Sequence, residues 1–259
     1  MLDLYGEKFS SRFILGTALY PNLDVMLKAI CQSESQLLTV SLKKSVTNGN
    51  SQNQFWNKLN QIGCEFLPNT AGCRNANEAI EIAEVSREVF ETNFIKVEVI
   101  GDDYNLQPDT IELVKASKEL IKRGFYVLPY TTDDLVVAKY LVDVGCKVLM
   151  PWAAPIGSGK GLVNPYALKV LRERFSDIEL IVDAGIGVPS QACEVMEMGY
   201  DGVLLNSAVA LAGDPILMAS AFKLAIESGR EAFKSKRMIE RELSSPSTSL
   251  FETPFWHQD

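Results

Sequence analysis

Histidine is almost missing from this chain: the only one, His257, is the third residue from the end. Acid–base chemistry in the body of the protein must therefore use carboxylates, lysine, tyrosine or cysteine. Five cysteines (Cys31, Cys64, Cys73, Cys146, Cys193) are scattered with no C-x-x-C pair. That spacing is neither a disulfide framework nor a zinc ligand set, and it suits a reducing compartment. Positive charge is scarce too, with 25 Lys and Arg against 33 Asp and Glu, a net charge of −8. Nucleic acid and anionic membrane are excluded as main partners, whereas a small phosphorylated substrate is not, because backbone N–H groups can present a local anion site. No run of about 18 uncharged apolar residues occurs. Residues 1–15 carry Asp3, Glu7, Lys8 and Arg12, so a signal-peptide core is absent as well. A cytoplasmic protein is expected.

What is present is enough apolar material, 47% of 259 residues, for one large core. Short apolar or β-branched runs bounded by turn residues occur eight times: RFILGTA (12–18), LLTVSL (37–42), EFLPN (65–69), FIKVEVI (94–100), YVLPY (126–130), KVLMPW (147–152), ELIVDAG (179–185) and GVLLNSA (202–208). Helical stretches lie between them, as with Val137, Tyr140, Leu141 and Val144, which share one face. Asp109 with Glu112, Asn75 with Glu78, and Asn164 before Pro165 read as helix starts. Gly63, Gly124, Gly145 and Gly199 read as helix stops shortly before a strand. Eight alternations without a long linker before residue 240 predict an α/β chain closed as a (β/α)₈ TIM barrel, with an open doubly wound sheet as the alternative. The barrel domain is expected over 1–241. The Ser/Thr/Pro-rich segment 242–259 reads as a flexible tail, unless Phe251, Phe255 and Trp256 dock it.

In such a barrel the chemistry lies where the strands end. Those ends carry Lys43, Lys44, Asn69, Tyr130, Asp183, Asn206 and Ser207. The fourth run is unusual: its period of two sends Ile95, Val97 and Val99 toward the helices and Lys96 with Glu98 toward the barrel interior. The pair can simply neutralise itself as a buried ion pair. Alternatively, a desolvated lysine loses proton affinity and attacks a ketone to form an imine, with Glu98 and Asp183 moving protons. Gly185 and Gly187 after the seventh run, and Asn206 and Ser207 after the eighth, stand where this fold cradles phosphate, or else make tight turns only. On the first reading Gly185→Val should harm substrate binding far more than folding. The cluster APIGSGKG (154–161) is not a P-loop, since Ala154 replaces its first glycine and Gly161, not Ser or Thr, follows Lys160. It reads as a flexible loop that folds over substrate, or as a plain surface loop.

Together LPNTAG (67–72), IKVEVI (95–100), VLPY (127–130), APIGSGKG, VDAGIGVPSQA (182–192) and VLLNSAVA (203–210) resemble bacterial thiazole synthase over nearly the whole chain, from FILGTA to about residue 235. The resemblance implies a (β/α)₈ transferase of thiamin biosynthesis. It condenses 1-deoxy-D-xylulose 5-phosphate, a glycine-derived imine and sulfur from the C-terminal thiocarboxylate of a ubiquitin-like carrier protein. It further implies that Lys96 is the Schiff-base lysine, that Glu98 and Asp183 are its acid–base carboxylates, and that Gly157, Ala184, Gly185, Asn206 and Ser207 contact the phosphosugar. No metal or redox cofactor is required by these steps. A homo-oligomer, tetrameric in the family, is implied, as is a complex with the enzyme supplying the imine. Departures are Ala18 after Gly16 and Thr17, and Ala153–Ala154–Pro155 after Trp152, which bears on how the sixth loop packs. A different Schiff-base phosphosugar aldolase or isomerase would share the trapped lysine but need no sulfur donor, and an inert phosphometabolite-binding barrel would form no adduct. Lys43 or Lys44 is a candidate receptor for the anionic thiocarboxylate, or an ordinary solvated lysine.

Overall fold

A computed structural model describes residues 1–42, 56, 58, 59 and 61–245, and elements are numbered within these residues. A short hairpin, β1 (Leu2–Leu4) and β2 (Glu7–Phe9), precedes the first barrel strand, β3 (Phe13–Gly16). Then follow α1 (Leu23–Ser33), β4 (Leu37–Ser41), β5 (Glu65–Asn69), α2 (Ala76–Phe90) and β6 (Phe94–Val97). A second hairpin, β7 (Ile100–Asp102) and β8 (Gln107–Pro108), leads to α3 (Thr110–Lys122) and β9 (Tyr126–Thr131). The chain continues through α4 (Leu135–Asp143), β10 (Val148–Pro151), α5 (Pro165–Arg174), β11 (Glu179–Asp183), α6 (Pro189–Glu197) and β12 (Gly202–Leu205). It ends in α7 (Ser207–Ala210) and α8 (Pro215–Ser235).

Eight of these strands close a parallel barrel in the order β3, β4, β5, β6, β9, β10, β11, β12 and back to β3. Closure rules out the open doubly wound sheet. Both faces of such strands are covered, which is why the runs are apolar rather than alternating. In β6, Ile95 and Val97 pack outward with helix residues such as Leu113 and Leu120, while Phe94 joins the interior with Leu128, Met150 and Ile181. The expected caps form: Asn75 accepts from Glu78 N, Asp109 from Ile111 N and Glu112 N, and Asn164 from Ala167 N. Each such bond satisfies a helix N–H that would otherwise lack a partner, worth about 1 kcal/mol. Gly63, Gly124, Gly145 and Gly199 have φ of 74°, 84°, 109° and 92°, the left-handed stop that glycine alone adopts without strain.

The run 94–100 is not one strand. Barrel pairing stops at Val97, and Ile100 belongs to an antiparallel hairpin whose register shifts between Ile100 and Asp102. Tyr140 does not join the apolar stripe of its helix; it is 54% exposed, and Ala138 and Leu141 carry the burial instead. At the N-terminal end of the barrel, Leu2, Leu4 and Phe9 of the first hairpin pack into the interior cluster with Ile14, Leu37, Leu67 and Phe94. Among the described residues no helix is long and apolar enough to cross a membrane. Lys43 and Lys44, and the aromatic part of the tail with Phe251, Phe255, Trp256 and His257, lie outside the described residues.

Candidate active site

Strand C-termini and the loops after them surround a cavity of about 980 Å³, the upper end of the range for small-molecule sites. Lys96, Glu98, Asp183, Gly157, Ala184, Gly185, Asn206 and Ser207 all stand on its wall, brought from β6, β11, β12 and the loop after β10. Asn69 also lines it, donating from Nδ2 to Thr39 Oγ1 at 3.0 Å. Tyr130 does not reach the wall. It is buried within β9, with the Lys96 ammonium 5.7 Å from its ring centre.

Three charges meet on the cavity floor. Lys96 Nζ lies 2.6 Å from Asp183 Oδ2 and 3.2 Å from Glu98 Oε1, and the three residues are only 6%, 3% and 6% exposed. At that separation, with both groups out of water, the Asp183 contact is a close ion pair. Burial by itself lowers the proton affinity of Lys96, but the charges of Asp183 and Glu98 outweigh it and hold the amine above the ordinary lysine value. This corrects the expectation of a lysine deprotonated by desolvation: the resting amine is an ammonium. Asp183 moves the other way from a typical paired carboxylate, raised first by burial and further by the charge of Glu98, against the pull of Lys96. Two carboxylates against one ammonium leave a net negative charge, and the carboxyl nearest Nζ is also the one disposed to accept a proton.

The glycines near the cavity rim do different work from the one their pattern suggests. A Cβ on Gly185 (φ 84°) would collide with the backbone of Ala154, and one on Gly187 with the carbonyl of Gly159. Gly161 N donates to Gly185 O at 2.8 Å. The loops after β10 and β11 are thus pressed together backbone to backbone, so segment 154–161 is a pinned loop rather than a free one. Gly185→Val would break this contact and is a folding lesion, not a selective probe of binding. Gly187 N and Val188 N both donate to Gln191 Oε1, at 2.8 and 3.2 Å, so the Gly187 N–H is not free for phosphate as the glycine pattern implied. Across the rim Gly157 (φ 73°) faces Ser207, whose Oγ would stand 4.0 Å from a Cβ placed there. Ala184 holds φ 73° without being glycine, a backbone strain on the order of 1 kcal/mol, while its carbonyl accepts from Ala153 N.

Asn206 bridges the first and last strands of the barrel. Its Oδ1 accepts from Ala18 N at 3.2 Å, and a Cβ on Gly16 would come within 2.6 Å of the Asn206 Cβ, so the glycine there is a requirement of packing. Thr17, Thr39 and Ser41 also line the cavity and escape the sequence reading. For Thr39 and Ser41 the signal is the period of two: Thr39 follows the interior Leu37 by two positions, as Asn69 follows Leu67. Among the described residues no group of three or more His, Cys, Asp or Glu is placed to hold a metal ion.

A family model described as Thiazole biosynthesis protein ThiG matches residues 3–249. Thiazole synthase of Paracidovorax citrulli is 53% identical over 259 residues, covering 100% of this chain and 96% of that protein. Thiazole synthase of Nitrobacter hamburgensis is 54% identical over 257 residues, covering 99% of each. Among solved structures, the Amycolatopsis orientalis BexX/CysO complex contains a chain with a TM-score of 0.83 and 27% identity, covering 93% of this chain and 98% of that one. With the barrel, the lysine between two carboxylates and similarity over the full length, the chain belongs to the ThiG family of thiazole synthases.

Proposed function

We propose that this enzyme of thiamin biosynthesis builds its thiazole phosphate on Lys96, starting from an imine between the lysine and the ketone of 1-deoxy-D-xylulose 5-phosphate. The observation that carries the reading is the buried Lys96 ammonium set between Asp183 and Glu98 at the cavity floor. Nζ first hands a proton to Asp183, the nearer carboxylate and the one burial makes more basic. The neutral amine adds to the ketone carbon. Asp183 then returns a proton to the carbinolamine oxygen, which leaves as water as the imine forms. Glu98 removes the proton from the adjacent sugar carbon and so moves the carbonyl along the chain.

The thiocarboxylate of a ubiquitin-like carrier protein adds to that new carbonyl. Acyl transfer and loss of water release the carrier and leave sulfur on the sugar; the glycine-derived imine takes up that sulfur, and its nitrogen displaces the Lys96 amine from the former ketone carbon as the ring closes, freeing the lysine. The similar chain from Amycolatopsis orientalis was solved in a complex of two proteins, BexX and CysO, which supports a protein partner here. Gly157, Ala184, Gly185, Asn206 and Ser207 hold the phosphosugar, the juxtaposed Gly157 and Ser207 forming the anion end. A cytoplasmic homo-oligomer, a tetramer, completes the reading, as does contact with the enzyme that supplies the imine.

Borohydride reduction in the presence of the sugar, followed by peptide mass spectrometry, tests the first step. The adduct is expected on Lys96 and absent from Lys96→Arg, whose guanidinium stays protonated and cannot attack a ketone. An adduct on another lysine of the natural protein overturns the assignment. Turnover of the sugar phosphate without any sulfur donor would replace the proposed synthase step with an aldolase or isomerase.

A further inference from the structure

The barrel ladder lapses where the chemistry needs it most. Pairing of β5 with β6 consists of Asn69 opposite Lys96, and β6 pairs with β9 no further than Val97. Glu98 is therefore the first residue beyond the strand, on backbone that the sheet does not hold. A glutamate that must meet both Nζ and a substrate carbon cannot tolerate that freedom, because misplacement by about 1 Å costs on the order of 100-fold in rate.

Thr70 supplies the missing support. Its backbone N donates to Lys96 O at 3.1 Å, continuing the β5 side of the ladder by one bond. Its hydroxyl then does what the next strand residue would have done with backbone groups. Thr70 Oγ1 accepts from Glu98 N and donates to Glu98 O, both at 2.8 Å. One hydroxyl, with one proton and free lone pairs, satisfies both backbone groups of Glu98. Thr70 is 0% exposed and does not line the cavity, so it touches Glu98 and not the substrate. Its β-branch restricts the side chain to few rotamers, which fits a fixed clamp better than serine would. The turn beyond it is also tied down: Cys73 N donates to Thr70 O at 3.1 Å, and Ile100 N to Cys73 O at 2.8 Å.

We infer that Thr70 is a positioning residue for the reaction, acting through the Glu98 backbone to aim the Glu98 carboxylate while leaving Lys96 competent. The inference rests on the proposed role of Glu98 in moving the carbonyl along the sugar. It separates two steps: imine formation needs Lys96 and Asp183, whereas loss of the neighbouring carbon-bound proton needs Glu98 in place.

The test uses the full-length protein with the sugar phosphate in deuterated buffer, without carrier. It reads the borohydride-trapped adduct and the solvent exchange of the proton next to the ketone. Thr70→Val removes the hydroxyl at equal volume. It is expected to keep the Lys96 adduct, leave KM for the sugar within a few-fold and slow exchange on the order of 100-fold. Thr70→Ser, which retains the hydroxyl, is expected to recover most of the rate. Because Val leaves two buried backbone groups unsatisfied and can cost folding, Thr70→Ala serves in parallel: the space it opens admits a water, and the same slow exchange with an intact adduct is expected. Exchange at the natural rate in folded Thr70→Val or Thr70→Ala overturns the inference. So does a serine variant as slow as alanine, or a loss of adduct in proportion to exchange, which marks a merely structural role. If instead the natural protein forms no adduct on Lys96, or Glu98→Gln exchanges normally, the underlying reading of the site fails.

Discussion

Lys96 is legible in the sequence as a charge where a barrel strand should bury an apolar residue, but its protonation state is not. Asp183, the residue that sets it, sits on β11, far along the chain, and only closure of the barrel brings the two within 2.6 Å. The consequence can be measured. Since both carboxylates raise the lysine and Nζ passes its proton to Asp183 rather than to water, the reactive pair of neutral amine and protonated carboxyl holds as many protons as the resting ion pair. Initial rates of borohydride-trapped adduct should therefore stay within a few-fold from about pH 7 to about pH 9 and fall once Asp183 is protonated, below about 6. In Asp183→Asn the internal acceptor is gone, so the amine must lose its proton to solvent and the rate should climb with pH while turnover is lost. A rise of about tenfold per pH unit in the natural protein would mean that solvent, and not Asp183, takes the proton from Nζ.

Loops after β10 and β11 share one set of contacts, and Gln191 at the start of α6 is its side-chain clasp. Its carboxamide oxygen takes two backbone donors, Gly187 N and Val188 N, while its amide end packs against Gly161. Gln191→Ala should leave those donors unsatisfied and lower stability by about 1–3 kcal/mol. It should also raise KM for the sugar phosphate while leaving the Lys96 adduct attainable at saturation. Thermal melts and sugar titration of the variant check both, and an unchanged KM would separate these loops from the substrate. The sequence marks this region by its glycines but does not say what they are for, because closely packed backbones and a phosphate cradle demand the same residue type. Strand cores are legible throughout, since burial on both faces leaves an unbroken apolar run. Their ends are not: the lapse after Val97 and the hairpin at Ile100–Pro108 depend on hydrogen bonds from another strand's loop. The first hairpin hides for a different reason, as three-residue strands such as Leu2–Leu4 are too short to show a period.

The barrel is a vessel with one closed end. There Arg12, Arg172 and Arg230 gather around Asp201 at 3.9, 2.7 and 3.7 Å, and Arg12 also donates to the carbonyl of Met1, fastening the first hairpin to the barrel. Glu179, half-buried at the start of β11, is pushed up to about 7 by burial and by the charge of Asp201, against Arg12 and Arg172. The folded state thus prefers the protonated carboxyl. Its contribution is complete below the ordinary glutamate value and is lost as pH rises through about 7. Glu179→Gln should remove that loss and stabilise the protein at about pH 8 by about 1 kcal/mol, discounted for partial contact with water. Denaturant midpoints at acid and alkaline pH check it; equal gains at both would assign the effect to something other than this proton.

The N-terminal hairpin has one more effect, on traffic. With Leu2, Leu4 and Phe9 stopping the rear of the barrel, a molecule bound for Lys96 comes and goes, among the described residues, on the side where the strands end. A passage with one door obeys the rule of a stack: what enters last leaves first, and nothing behind it can depart while it stays. For a catalyst that joins several reactants, a blind corridor turns geometry into sequence, seating the small, deep-lying reactant before the long one that blocks the threshold.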